Sequence, residues 1–372
     1  MQYIMKKFFA NILLLACALT VQAQTPVNYD RYYDFMKSYK SLAMGINAEL
    51  GNPESPFTEQ MGKPAPAYDF GGGLSSKALK GRFVILNFWS TWCGGCRVLS
   101  CYLDTVMVQQ TDIYTKAGVQ IIGVDYLENM IDKGLKAKKW WKDHGIHYPN
   151  VMGKGVDECG KAFIAGHPTA IVIDEDGIMR YRCDGAGEHT AGQIAFAVWA
   201  LKLFPESGLP FSMATAEQFA ASGEYDKATY VLWNMEQTLD VQMREFEYSL
   251  KFDRYQAQHL YGEIKKQHIN DAEWTHTLRQ MADKVVEEHC SMMYKTCLDD
   301  VNEIFFHAHY GTIEKYETIY TTRGCLSLLY GRTTYDNSQE GIKTAVDYLR
   351  EKNETELLDR VLKIQKETKI TQ

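Results

Sequence analysis

Several things that whole classes of function require are missing from this chain. Lysine and arginine number 40 against 47 aspartate and glutamate over 372 residues, a formal charge of −7. A nucleic-acid surface needs clustered basic residues in excess, so no nucleic acid is expected as a partner. Beyond the first residues, no apolar run reaches the ~18 that a spanning helix needs. No second CxxC accompanies Cys93-Gly94-Gly95-Cys96. A tetrahedral zinc site would therefore have to recruit His144 and His147 from elsewhere, and no metal is expected. Arg97 stands where covalent haem attachment requires histidine, which removes that chemistry.

The N-terminus carries a leader pattern. Lys6-Lys7 form a positive start, Phe8 to Leu19 an apolar stretch, and Val21-Gln22-Ala23 a small-residue cleavage site, so residues 1–23 are expected to be a signal peptide and the mature protein to be periplasmic or otherwise exported. Leu14-Leu15-Ala16-Cys17 also fits a lipoprotein box, in which acylated Cys17 would anchor the chain to a membrane. Of the nine cysteines, eight remain if cleavage falls before Gln24. Cys93 and Cys96 claim one another. The other six, Cys101, Cys159, Cys183, Cys290, Cys297 and Cys325, allow 15 pairings, and their connectivity is not readable. Cys290 and Cys297 look as if they share one helix, where seven residues separate Cα atoms by about 10 Å, beyond disulfide reach.

At this length two domains are expected. Residues 24–60 read as an N-terminal extension with weak helical character from Asp30 to Leu50. Gly62-Lys63-Pro64-Ala65-Pro66 is an extended entry, and Gly71-Gly72-Gly73 a turn before a short helical piece over Leu74 to Lys80. From Arg82 strands and helices alternate: strand 82–90, helix 93–117, strand 119–125, helix 127–144, a short strand 149–152, helix 156–164, strand 169–174, an Asp176-Gly177 turn, strand 178–183 and helix 190–204. This is an α/β fold with a central mixed sheet flanked by helices, expected over residues 61–205. Pro205 and the Glu206 to Pro210 turn mark a boundary. Residues 211–372 show helical periodicity over Ala214 to Ser222, Tyr225 to Leu239, Trp274 to Val286 and Ser338 to Lys352, and are expected to form a helical domain of six to eight helices. Its Gly223 to Ala228 stretch faintly suggests a tetratricopeptide junction, yet no second copy appears some 34 residues on, so a solenoid is unsupported. Trp140-Trp141 among Lys136, Lys138, Lys139 and Lys142 reads as an amphipathic helix face with snorkelling lysines.

The chemistry concentrates at Trp92-Cys93-Gly94-Gly95-Cys96. The preceding Phe83 to Trp89 run is β-branched and aromatic, as a buried strand should be. The cysteines then enter a helix, whose N-terminal N–H groups and macrodipole favour a thiolate on the first of them. A pair at this spacing forms a dithiol/disulfide switch. In it Cys93 is the nucleophile that makes a mixed disulfide, and Cys96 resolves it.

With Gly62 to Pro66, Leu86 to Arg97, and Gly166-His167-Pro168-Thr169-Ala170-Ile171-Val172-Ile173-Asp174, residues 62–204 resemble the thioredoxin superfamily, specifically exported disulfide reductases of the TlpA/ResA type. The resemblance implies a cis peptide before Pro168 facing the dithiol. It also implies a client-binding surface of Trp92, Gly94, Gly95, His167, Pro168 and Thr169, with disulfide-bearing client proteins and a membrane thiol electron donor as partners, and no cofactor. Three departures stand out. Gly95 replaces the family's proline, Leu99 and Cys101 replace its usual glutamate and proline, and Asn87 occupies the place of the buried aspartate of cytoplasmic thioredoxins. His167 is then the nearest group able to take the Cys96 proton. A disulfide oxidase or isomerase is the alternative to a reductase, and a non-enzymatic adaptor binding through its helical half is another. A peroxiredoxin pattern fails at Leu86.

Overall fold

A computed structural model of the chain describes residues 26–39, 60–128, 135–153, 155–185 and 190–307, with the isolated positions 350, 359 and 362. The leader, Cys17, Cys325 and most of the 338–352 stretch lie outside the described residues. Two compact units partition the chain, Met1–Pro210 and Phe211–Gln372.

In the first unit a five-stranded sheet has the order β3-β2-β1-β4-β5, with β1 at Val84–Trp89, β2 at Gln120–Asp125, β3 at Asn150–Val151, β4 at Thr169–Ile173 and β5 at Met179–Asp184. β1 runs parallel to β2 and antiparallel to β4. Every β1 residue is buried, because helices cover both faces of the central strand. The period of two sends Val84, Leu86 and Phe88 into one core with Val156, Cys159 and Phe163, the first two on helix α5 (Val156–Ala162) and the third capping it. The opposite face carries Asn87, which reaches Ser100 of helix α2 (Gly94–Asp104), and Trp89, whose ring lies 4.7 Å from Trp141 of helix α4 (Leu135–Asp143). Phe88 pairs with Thr169 and Trp89 with Asp125. The segments that follow β1 and β2 and the one that precedes β4 therefore emerge at the same end of the sheet.

Gly123 of β2 is required by close packing. A Cβ there would lie 2.6 Å from the Trp141 ring and 2.9 Å from Asn150 Oδ1. The Trp141 indole is pinned by donating to the Tyr148 carbonyl at 3.1 Å and cannot retreat. We expect Gly123→Ala to cost about 1–3 kcal/mol by overpacking, read as a lowered Tm. An unchanged Tm would show that the ring has room to move.

Helix α1 (Tyr29–Ser38), within the expected N-terminal extension, belongs to this unit. Asn28 caps it, and Tyr32, Phe35 and Met36 are buried, with the Phe35 ring stacked 5.7 Å from Phe196 of helix α6 (Thr190–Val198). The Arg180 guanidinium sits 3.5 Å over the Tyr29 ring.

Four sequence expectations need correction. The 93–117 helix is three pieces: α2, a π-turn over Thr105–Gln109, and α3 at Ile113–Lys116. The wider turn falls where buried Asp104 draws in the Gln109 amide at 2.5 Å and His147 N–H at 2.7 Å. Leu74 to Lys80 form turns rather than a helix, because left-handed Gly73 and Gly81 bracket a stretch too short to nucleate one. The final helix of the unit continues from α6 through a π-turn at Trp199–Leu203 into α7 (Phe204–Ser207), with Pro205 in the first turn of α7. Finally, Cys290 and Cys297 do not share a helix. Cys290 precedes a 3₁₀ turn at Ser291–Met293, and the helix holding Cys297 begins at Tyr294.

The described residues of the second unit form α8 (Met213–Ala221), α9 (Tyr225–Trp233), α10 (Leu239–Phe252), α11 (Arg254–His268), α12 (Trp274–Glu287) and α13 (Tyr294–His307). Ser212, Thr238 and Asp253 cap α8, α10 and α11 by accepting from backbone N–H groups. Phe246, Tyr261, Leu278, Met281, Val285 and Met293 are among the residues that fill its core. Cys290 and Cys297 are free thiols buried in that same core.

Candidate active site

Cys93 is the N-cap of α2, and its sulfur accepts from the Cys96 backbone N–H at 3.1 Å. The two cysteines are disulfide-bonded, with Cα atoms 5.2 Å apart. Cys93 is half-buried and Cys96 is sealed at 0% exposure, so only the first sulfur meets solvent. An N–H aimed at that sulfur from the first helical turn stabilises it as a thiolate once the bond opens. Gly94 is exposed and Gly95 half-buried, which leaves the approach to the sulfur low.

The loop before β4 meets this turn. His167-Pro168 is a cis peptide, and the His167 ring lies 4.7 Å from the Trp92 ring and stacks at 5.3 Å on Tyr126. Trp92 is 56% exposed, a flat apolar surface beside the nucleophile. A polar chain fixes the loop. Gly166 N–H donates to Thr169 Oγ1 at 2.8 Å, and that hydroxyl donates to Asp184 at 2.5 Å. Arg182 grips Asp184 at 2.7 and 3.0 Å while donating to the Phe163 and Ile164 carbonyls at 2.6 and 2.9 Å.

A Redoxin family model matches residues 61–194 of the chain. The thiol:disulfide interchange protein DsbE of Pasteurella multocida is 31% identical over 166 residues, covering 43% of this chain and 81% of that relative. The thiol-disulfide oxidoreductase ResA of Bacillus cereus is 33% identical over 139 residues, covering 36% and 75%. The chain belongs to the DsbE/ResA thiol-disulfide oxidoreductases. A crystal structure of a thioredoxin-family thiol:disulfide interchange protein from Chlorobium tepidum TLS is 29% identical, covers 37% of this chain and 96% of its own, and has a TM-score of 0.31. The Redoxin match ends before the second unit begins.

The surroundings of the dithiol in this oxidoreductase are polar but largely uncharged on the Asn87 side. Asn87 is fully buried, its amide donating to Ser100 Oγ at 2.9 Å and to Tyr148 Oη at 3.2 Å, a cluster of neutral groups. Leu99 is buried, and the Cys101 thiol is pushed up by burial and by Asp104, which keeps it protonated and poorly nucleophilic. His144 stacks on Trp140 and His147 is held by Asp104 at 2.9 Å. Sequence reasoning missed two contributors. Tyr126 supplies the stack beneath His167. Glu128, 1% exposed, accepts from Thr91 N–H at 2.7 Å and from the Thr91 hydroxyl, bracing the turn just ahead of Trp92. The only hint of either was position, just past the end of a strand neighbouring β1.

Burial holds the His167 imidazole below its ordinary value near 6.5, partly offset by its bond to the Tyr126 carbonyl and by nearby Glu128. Its Nε2 donates to that carbonyl at 3.0 Å, which leaves Nδ1 as the acceptor of the neutral ring. A folded pKa below the unfolded one makes the unfolded chain bind more protons. The stability from neutral His167 is thus complete above pH 6.5 and is lost as pH falls from there through the folded pKa. His167→Gln should flatten the fall in denaturant-unfolding free energy between about pH 7 and pH 5. An identical slope in both proteins would place the proton elsewhere.

Proposed function

We propose that this oxidoreductase reduces disulfides in exported client proteins. The carrying observation is the asymmetry of the pair, with Cys93 half-exposed at a helix N-terminus and Cys96 sealed behind it. The Cys93 thiolate attacks one sulfur of a client disulfide, and the other client sulfur leaves as a thiolate. Cys96 then attacks Cys93, the client departs as a dithiol, and two electrons have passed to it. The Cys93–Cys96 disulfide left behind must be reopened by a thiol donor, and the leader pattern and the pair's chemistry favour a membrane thiol carrier. Trp92, Gly94, Gly95, His167, Pro168 and Thr169 form the client surface. The backbone before Pro168 offers strand-like hydrogen bonds to an extended client segment, and Trp92 gives it an apolar bed. With no carboxylate in the Asn87 cluster, His167 Nδ1 is the acceptor for the Cys96 proton. The reading assigns residues 61–205 to this chemistry and residues 211–372 to a separate helical domain, in a periplasmic or otherwise exported protein.

Trapping tests it. Cys96→Ala leaves the mixed disulfide unresolved, so a client should remain covalently bound to Cys93 for mass spectrometry. No capture, together with alkylation of Cys93 no faster than a free thiol at pH 7, would end the proposal. Direction is settled by equilibration with glutathione. A reductase lies nearer the roughly −270 mV of thioredoxin than the roughly −120 mV of DsbA, and the latter result would make the protein an oxidase.

A further inference from the structure

A short turn after β2 grips both halves of the redox site. Tyr126 follows the strand directly and donates its backbone N–H to the Trp89 carbonyl at 3.1 Å. Its own carbonyl accepts from His167 Nε2 at 3.0 Å, and its ring stacks on the imidazole. Leu127 then turns the chain with a φ of 66°, a region that residues other than glycine rarely enter. Glu128 reaches from this turn to the end of β1, where its carboxylate accepts from the Thr91 N–H at 2.7 Å and from the Thr91 hydroxyl. Its charge also acts on the His167 ring. Three consecutive residues therefore hold the residue before Pro168 on one side and the residue two before Cys93 on the other.

Both Leu127 and Glu128 sit there against an intrinsic penalty. Glu128 is 1% exposed, and a carboxylate withdrawn from water is unfavourable unless donors meet it. Its hydrogen bonds among the described residues both come from Thr91, so the compensation is directed at that one turn. Left-handed backbone at Leu127 persists only where the surroundings over-determine it. The Thr91 turn has little other support. The Cys93 N–H reaches the Ser90 carbonyl at a long 3.3 Å, and the buried Ser90 hydroxyl makes no hydrogen bond among the described residues. We propose, on the reading above that the His167–Pro168 loop binds the client while Cys93 attacks it, that Glu128 is a positioning residue for disulfide exchange. Through Thr91 it sets the Cys93 sulfur at the spacing from that loop which an extended client needs. A client seated on the loop must present its disulfide in line with Cys93, so misplacing either part slows attack on a seated client. A small disulfide that meets the sulfur without touching the loop has no such requirement.

The test uses the full chain, reduced beforehand, and two substrates that share a leaving thiol. One is hydroxyethyl disulfide, and the other is an extended peptide whose single cysteine is in mixed disulfide with mercaptoethanol. The parent should react faster with the peptide. Glu128→Ala should lose at least about tenfold in kcat/KM with the peptide and less than about threefold with hydroxyethyl disulfide. Glu128→Gln should stay within about threefold of the parent on both, because its amide oxygen can accept from the Thr91 N–H while its NH₂ donates to the Thr91 hydroxyl, turned to accept. Thr91→Val removes the hydroxyl bond alone and should slow only the peptide, by about threefold. A merely structural role would lower both rates together. Far-UV circular dichroism identifies a variant that does not fold, and if Glu128→Ala is one, Thr91→Val carries the same comparison. Equal losses on the two substrates, or a folded Glu128→Ala within twofold of the parent on the peptide, would overturn the role of Glu128 alone. A parent that prefers neither substrate would instead overturn the client-binding reading of the loop, and this inference with it.

Discussion

Cys93→Ser should lower the rate of disulfide exchange by about 10³-fold or more, because a serine hydroxyl stays protonated at pH 7 and cannot replace the thiolate that attacks sulfur. Cys96 cannot substitute, since it is fully sealed while Cys93 is half-exposed. Turnover of a fluorogenic disulfide with a dithiol donor reads the effect. Cys96→Ala, by contrast, should retain the first attack and stall afterwards, giving one burst of released thiol per protein. Should Cys93→Ser keep more than a tenth of the parent rate, or Cys96→Ala show no burst, the roles of the two sulfurs must be exchanged or abandoned.

Arg182→Met should destabilise the first unit by about 3 kcal/mol, measured as a fall in urea-unfolding free energy with an unchanged m-value. Arg182 is 2% exposed and serves Asp184, Gln60 and the carbonyls of Phe163 and Ile164 at 2.6 to 3.3 Å. Methionine fills the volume but leaves Asp184 without its cation and two carbonyls without donors. Asp184 is only partly covered, which holds the penalty at the low end for a broken pair. Lysine should not rescue, because a point charge cannot span the carboxylate and both carbonyls at once. The loop from Gly166 to Pro168 hangs from this chain of bonds through Thr169, so exchange activity should fall at temperatures where the variant is still folded. A loss under about 1 kcal/mol with full activity would show that the loop is held otherwise.

The parts of this architecture that were legible in the sequence are those fixed by local patterning. The all-buried β1 was visible as an unbroken Val84 to Trp89 run, the β4–β5 hairpin as Asp176-Gly177 between apolar stretches, and the redox turn as two cysteines ahead of a helical period. Element ends were less legible. The break of α2 into a π-turn falls where Asp104 accepts from the backbone of His147, 43 residues away, and no window on the sequence contains both. Cys290 and Cys297 looked helical because the periodicity survives across the turn at Ser291–Met293. The N-terminal helix looked peripheral because its partner, Phe196, lies far along the chain.

At the site the division is sharper. The sequence by itself determined which atoms can exchange electrons, since two thiols with two residues between them at a helix start can close and reopen a disulfide, and it determined that Pro168 opens a strand. The tertiary structure decided the rest, because it depends on contacts between segments distant in sequence. The pairing of Phe88 with Thr169 brings His167 to Trp92. The Arg182–Asp184–Thr169 chain fixes that loop, and Glu128 braces Thr91 from the end of β2. A residue's chemistry is written in its side chain, whereas its exposure and its hydrogen-bond partners are set by which strands pair.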